Sequence, residues 1–192
     1  MTVSQSHALA RQAPFPHAVA GQALDSDLAE NVLKWFETTA PWRLRVESFY
    51  EQYEMNLHEA ELPQEVAPVL SDERVDSLRR QLLNPIEPQE LILTEVNAHK
   101  LLPGQTIRIH NDYIGGEETH RVLIQLNRDW TDDCGGILML FSGPTVEEVA
   151  RLIRPRHASG MAFEISPTSY HAVSTIRSGE RYTIVYSFKR AN

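Results

Sequence analysis

With 192 residues, 42% of them hydrophobic and 23% charged, the chain is sized for one soluble domain with a sizeable core. Its formal charge of −8 argues against nucleic acid or an anionic membrane surface as a partner, and no stretch approaches the ~20 apolar residues that span a bilayer. The single cysteine, Cys134, excludes an internal disulfide framework, and residues 1–21 contain no apolar run typical of a secretory signal, so a reducing, cytoplasmic setting is expected.

In chain order, residues 1–13 are small and polar and read as loose. "FPHAVAGQAL" (15–24) reads as a short strand. Asp25 or Ser26 then caps a helix whose Leu28, Val32, Trp35 and Phe36 share one face, and Pro41 ends it. "WRLRV" alternates like a strand, and the residues after it, to Leu57, suit strand or helix. "LPQEVAPVL" (62–70) is a proline-punctuated connection, followed by a second capped helix, "SDERVDSLRRQLLNP" (71–85). After Pro88 the pattern changes to successive strand-like runs at 90–101, 106–110, 121–127, 135–141, 160–165, 171–176 and 181–189, with one helical insert expected at 145–153. The order predicts an α+β fold, mainly β: a curled sandwich or barrel with N-terminal helices packed on one side. A single domain, 1–192, is expected, with 1–89 supporting a β core at 90–190.

The residues that suggest chemistry lie in "GQTIRIHNDYIGGEETHRV" (104–122). His110 ends an alternating strand and Asp112 follows two residues later, a spacing that turns both side chains the same way if strand geometry persists. Alone, such a pair is a weak signal. His171, opening the strand "HAVSTI", supplies a second imidazole. Two imidazoles and one carboxylate make the facial set of non-haem Fe(II) oxygenases, which leaves three positions open. Ten residues beyond His171, Arg181 starts the next strand. A guanidinium inside a barrel needs an acidic partner, and a dicarboxylate cosubstrate would be one.

The phrases "LPGQTIRIHND", "HRVLIQLNRDWTDDCGGILMLF" and "FEISPTSYHAVSTIRSGERYTIVYSF" occur in one order: Gly then His-x-Asp, an Arg-led strand ending in Leu-Asn, a Gly-Gly strand, a His-Ala-Val strand, then Gly-x-Arg-Tyr. In these the chain resembles the 2-oxoglutarate and Fe(II)-dependent dioxygenases, most closely their prolyl 4-hydroxylase-like branch, over residues 90–190, with a fainter match at "FPHAVAGQALDSDLAENVLKWF". The resemblance implies a double-stranded β-helix, a jelly-roll or cupin-like barrel. It implies iron held by His110, Asp112 and His171, and the distal carboxylate of 2-oxoglutarate held by Arg181, with a hydroxyl from Thr183. Where relatives often carry tyrosines this chain has Leu101 and Gln125, and Gln125 can still donate a hydrogen bond to a carboxylate or substrate.

The activity implied is hydroxylation of an unactivated C–H, with O₂ consumed, succinate and CO₂ released, and ascorbate as a possible reductant. An intact Asp112 favours hydroxylation over halogenation; desaturation, cyclisation and a non-catalytic β-barrel binding protein are the alternatives. An amino acid, free, carrier-bound or within a peptide, is the expected substrate, and the protein a monomer or homodimer without nucleic-acid or membrane partners. Arg108, Tyr113, Asn97 and His99 are candidate substrate contacts. The loop "YIGGEETH" (113–120) is a candidate lid or an ordinary solvated loop. His120 reads as a surface residue, and Cys134 as incidental for want of a partnering base.

Overall fold

The computed structural model describes residues 8–191. Its elements are β1 Leu9–Arg11, β2 His17–Ala20, α1 Ser26–Thr38, β3 Arg43–Val46, β4 Glu51–Asn56, α2 Asp72–Leu78, β5 Leu91–Leu101, β6 Ile107–His110, β7 His120–Gln125, β8 Leu138–Phe141, β9 Val149–Ile153, β10 Gly160–Glu164, β11 His171–Val173 and β12 Arg181–Arg190. Eight strands form a major sheet in the order β1-β2-β10-β7-β12-β5-β4-β3, and four form a minor sheet, β6-β11-β8-β9. The chain repeatedly crosses between the sheets, and this is the double-stranded β-helix. Residues before 90 supply four strands of the major sheet, so the N-terminal support and the β core share one sheet.

Alternation along β12 explains where the two cores sit. Tyr182, Ile184, Tyr186 and Phe188 point to the outer face of the major sheet, where they meet Leu28, Val32, Leu33 and Phe36 of α1 and Leu78 of α2. Full burial of each such side chain stabilises the fold by roughly 1.5–3 kcal/mol. Arg181, Thr183, Val185 and Ser187 point to the inner face and line a cavity. The second core fills part of the space between the sheets, with Leu101, Met161 and Phe163 from the major sheet against Leu138, Leu140 and Val173 from the minor one.

Several sequence expectations are corrected. The segment 145–153 is not a helix. Thr145 and Glu148 form a capping box around one short turn, Val146–Glu148, and Val149–Ile153 then pairs with β8 as an edge strand. Its apolar residues fit strand pairing as well as a helical stripe. The second helix is shorter than 71–85: α2 is capped by Ser71, which accepts from Arg74 N at 3.3 Å, and continues as a π-helical turn, Arg79–Leu83. The expectation of a loose N-terminus falls partly on residues 1–7, outside the described residues, while Leu9–Arg11 pairs with β2.

Candidate active site

His110 ends β6 and His171 opens β11, and the two are directly paired across the minor sheet. Their ring centroids lie 4.2 Å apart. Each imidazole is oriented by its own backbone: His110 Nδ1 lies 2.8 Å from Arg108 O, and His171 Nδ1 lies 2.8 Å from Ser169 O. A ring nitrogen facing a carbonyl carries the proton, so both Nε2 atoms keep a lone pair and turn it inward. Asp112 completes the cluster from a left-handed backbone, φ 60°. Its Oδ1 is 3.3 Å from His110 Nε2 and its Oδ2 is 3.1 Å from His171 Nε2.

The spacer Asn111 fastens this corner. Its Nδ2 donates to Pro167 O at 3.0 Å, its Oδ1 accepts from Tyr113 N at 3.1 Å, and its carbonyl accepts from Ser169 Oγ at 2.8 Å. The turn that delivers Asp112 is therefore bonded to the turn that delivers His171.

Sequence reasoning missed Arg121. At the start of β7, its Nη1 approaches Asp112 Oδ2 at 2.6 Å, while Nη2 and Nε reach Glu118 Oε2 at 2.8 and 3.0 Å. Burial alone would push the Asp112 carboxyl up. The Arg121 guanidinium, with His171 beside it, outweighs this and holds the carboxyl well below the usual range. Burial, reinforced by His110, pushes the His171 imidazolium to lower pH, so the neutral ring is favoured.

These groups fit a divalent metal. One donor atom from each of His110, Asp112 and His171 lies within 4.8 Å of the others. Two imidazole lone pairs and a carboxylate converge, and buried Asp112 Oδ2 has no aligned hydrogen-bond donor despite its close neighbours. Converging acceptors without a proton between them repel unless a cation sits there, and this set of donor types suits non-haem Fe(II).

A cavity of about 670 Å³ opens beside the cluster. Arg181, 4% exposed, lines it. Its Nε donates to Gly136 O at 2.9 Å and its Nη1 to Thr183 Oγ1 at 2.8 Å; Thr183 Oγ1 donates in turn to Gln125 Oε1 at 3.1 Å. No carboxylate pairs with Arg181 among the described residues, and burial alone pushes its guanidinium down to about 10. A buried cation in this state is suited to an anionic partner. Gly136 makes room for it: a Cβ there would stand 2.9 Å from Arg181 Cδ and 2.8 Å from Ile176 Cδ1, on a backbone with φ +65°.

Among the other residues singled out from sequence, Asn97 and His99 line the cavity. Burial holds the His99 imidazolium down at about 4, so its ring is neutral near pH 7. Gln125 is buried behind Thr183 and is outside the lining. Arg108 is exposed, with Nη1 3.4 Å from Ser48 O, because a register irregularity between β6 and β11 leaves Ile107, not Arg108, on the cavity side with His110. Tyr113 is 44% exposed and outside the lining. His120, expected at the surface, is fully buried. Cys134 is half-buried and free.

The family model described as 2OG-Fe(II) oxygenase superfamily matches residues 96–189. Among solved structures, the chain is similar to a prolyl hydroxylase from Trichoplax adhaerens in complex with a hypoxia inducible factor peptide fragment (TM-score 0.70, 18% identity, 91% of this chain and 83% of that one). It is also similar to a prolyl-4-hydroxylase from Pseudomonas putida (0.68, 15%, 92% and 93%) and to HygX from Streptomyces hygroscopicus with nickel and 2-oxoglutarate bound (0.65, 11%, 91% and 83%). At these identities the likeness is one of fold. A search of curated protein sequences found no match.

Proposed function

Since the chain belongs to the 2OG-Fe(II) oxygenase superfamily, an enzyme family whose cofactors are Fe(II), 2-oxoglutarate and O₂, we propose that it hydroxylates an unactivated C–H of an amino acid or an amino-acid residue, with His110, Asp112 and His171 as the iron ligands and Arg181 as the anchor of 2-oxoglutarate. The observation that carries this reading is the buried Arg181, without an acidic partner among the described residues, on the wall of the cavity that also contains the His-Asp-His cluster.

Bound Fe(II) with 2-oxoglutarate supplies the two electrons that O₂ activation needs, releasing succinate and CO₂. The chain's own residues do the rest. Arg181 and Thr183 offer N–H and O–H groups to a carboxylate, and Gln125 holds the Thr183 hydroxyl in place. Leu123, Leu138, Phe163 and Val173 keep the floor of the cavity apolar, which excludes water from the reacting centre. Backbone carbonyls hold both imidazoles in the tautomer that ligates through Nε2. The peptide-bound Trichoplax relative supports an amino-acid residue as the acceptor.

The test is succinate formation by Fe(II)-loaded protein across a panel of amino acids and short peptides, together with anaerobic metal analysis. The expected result is one equivalent of iron, lost in His171→Ala, and succinate dependent on 2-oxoglutarate. Protein that binds no Fe(II) at this cluster and forms no succinate would sink the reading.

A further inference from the structure

We propose that the wall of the cavity built by β4 and β5 is a subsite for a cationic nitrogen of the substrate, an ammonium or guanidinium group, with Glu95 as its counter-charge. The proposal rests on the oxygenase reading and names the substrate class for that same cavity.

Strand register places the subsite. Glu54 pairs with His99 and Asn56 with Asn97 across β4 and β5, while Glu95 pairs with Ser187 across β5 and β12. All six line the cavity. Ser187 in turn pairs with Arg121, the residue that reaches Asp112, so this wall adjoins the metal cluster. Along β12 the inward positions run Arg181, Thr183, Val185, Ser187, which sets Glu95 and Ser187 at the far end of this row from Arg181, while His99 pairs with Thr183 beside it.

The wall is rich in hydrogen-bond acceptors and has a buried polar atom left over, Gln52 Oε1. Gln52, 2% exposed, also lines the cavity; its Nε2 donates to Glu54 Oε2 at 3.2 Å and its Oε1 has no donor. Ser187, also 2% exposed, makes no side-chain hydrogen bond among the described residues, and neither do Asn97 and His99. Gln52 Oε1 is a fully buried atom without a partner, and a donor from a ligand in the cavity would satisfy it.

Charge selects the ligand. Glu95 accepts from Asn56 Nδ2 at 3.0 Å and forms no ion pair among the described residues. The neighbouring cations are committed or turned away. Arg45 binds Glu47 and Glu54, and Arg121 binds Asp112 and Glu118. Lys100 lies over the rings of Trp42 and Tyr53, and Arg43 is exposed at the rim. The neutral His99 ring supplies no counter-charge. A carboxylate with amide and hydroxyl oxygens around it matches a group that only donates: three N–H on an ammonium, five on a guanidinium.

The test is calorimetric titration of the metal-loaded protein with 2-oxoglutarate, without O₂, using L-arginine, L-lysine and agmatine as cationic probes. L-citrulline, L-norleucine and L-glutamate are the neutral and acidic comparators. Cationic probes should bind about tenfold or more tighter than comparators of similar length, and Glu95→Gln should remove that preference. Glu95→Asp, which keeps the charge, should retain part of it. A melting profile establishes that each variant is folded. Equal or tighter binding of L-citrulline or L-norleucine, an undiminished preference in folded Glu95→Gln, or no binding of any cationic probe at millimolar concentration would overturn the proposal. Fe(II) binding and succinate formation by wild-type protein across the amino-acid and peptide panel report on the oxygenase reading separately: absence of both sinks that reading, whereas turnover without a cationic preference sinks only the subsite.

Discussion

Arg121 Nη1 stands 2.6 Å from Asp112 Oδ2, closer than either imidazole approaches that carboxylate, and Glu118 holds the same guanidinium from its far side. Asp112 is thus oriented by a residue that touches no metal itself. Arg121→Gln leaves the carboxylate to rotate, and metal affinity should fall about 10–100-fold. Arg121→Lys keeps the charge but not the fork that spans Asp112 and Glu118, so it should recover affinity only in part. Calorimetry with Co(II) in place of Fe(II) reads both without turnover. Wild-type affinity in Arg121→Gln would show that the guanidinium does not position Asp112.

Arg181→Met should separate binding from stability. The guanidinium is buried without an acidic partner among the described residues, so replacing it with an apolar chain of similar length should leave the melting temperature unchanged or raised. Affinity for 2-oxoglutarate should fall about 100-fold, the loss of a buried two-pronged charge pair. A large drop in melting temperature with unchanged 2-oxoglutarate affinity would give Arg181 a structural role instead.

Gly136→Ala tests the same anion site from behind. The new Cβ would press on Arg181 Cδ, Ile176 Cδ1 and Trp130 Cζ2 at 2.8–3.1 Å, from a left-handed backbone. Stability should fall by about 1–3 kcal/mol, and 2-oxoglutarate affinity about tenfold as the guanidinium shifts. Denaturant titration and ligand titration measure the two effects; unchanged affinity would mean that Arg181 tolerates the crowding.

His120 makes folding depend on pH. Burial, helped by Arg190, pushes its imidazolium down to about 4, whereas the unfolded ring titrates near its ordinary value of 6.5. Between these values the unfolded chain binds the extra proton, so stability is full above pH 6.5 and is lost as pH falls toward 4. The contribution is at most about 3 kcal/mol, and His99 adds a loss of the same sign. His120→Gln should flatten this acid limb in denaturant midpoints measured across the window. An unaltered slope would assign the acid sensitivity elsewhere.

The strands were legible because half-buried sheets alternate, and both His110 and His171 stand at strand ends that the alternation marks. The His-Asp-His set was suggested by residue type and spacing, and its assignment to iron by the family resemblance. Arg121 was hidden because an arginine opening a strand reads as solvated; only its position nine residues after Asp112, with Glu118 three residues before it, hinted at a bridge. Arg108 was assigned to the wrong side by an alternation argument that a register irregularity between Ile107 and His110 interrupts. His120, outside the metal-ligand spacing, reads as surface, yet it is fully buried and has Thr119 for a hydrogen-bond partner. The cavity-wall polar residues on β4 could not be seen at all, because that segment suited helix and strand alike until β5 paired with it.

The proposed metal ligands and the proposed anion site belong to different sheets: His110 and His171 stand on the minor one, Arg181 on the major one. Leu140, opposite His171 in the ladder, belongs to the apolar filling that keeps the sheets apart. With a dicarboxylate held at both, the barrel would work as a calliper, its jaws set by close-packed side chains that touch neither end of the molecule being gauged. Leu140→Ala, at a cost of about 2–5 kcal/mol in stability, should slacken the jaws and narrow the affinity ratio between 2-oxoglutarate and 2-oxoadipate. A folded variant with the original ratio would show that the gauge lies elsewhere.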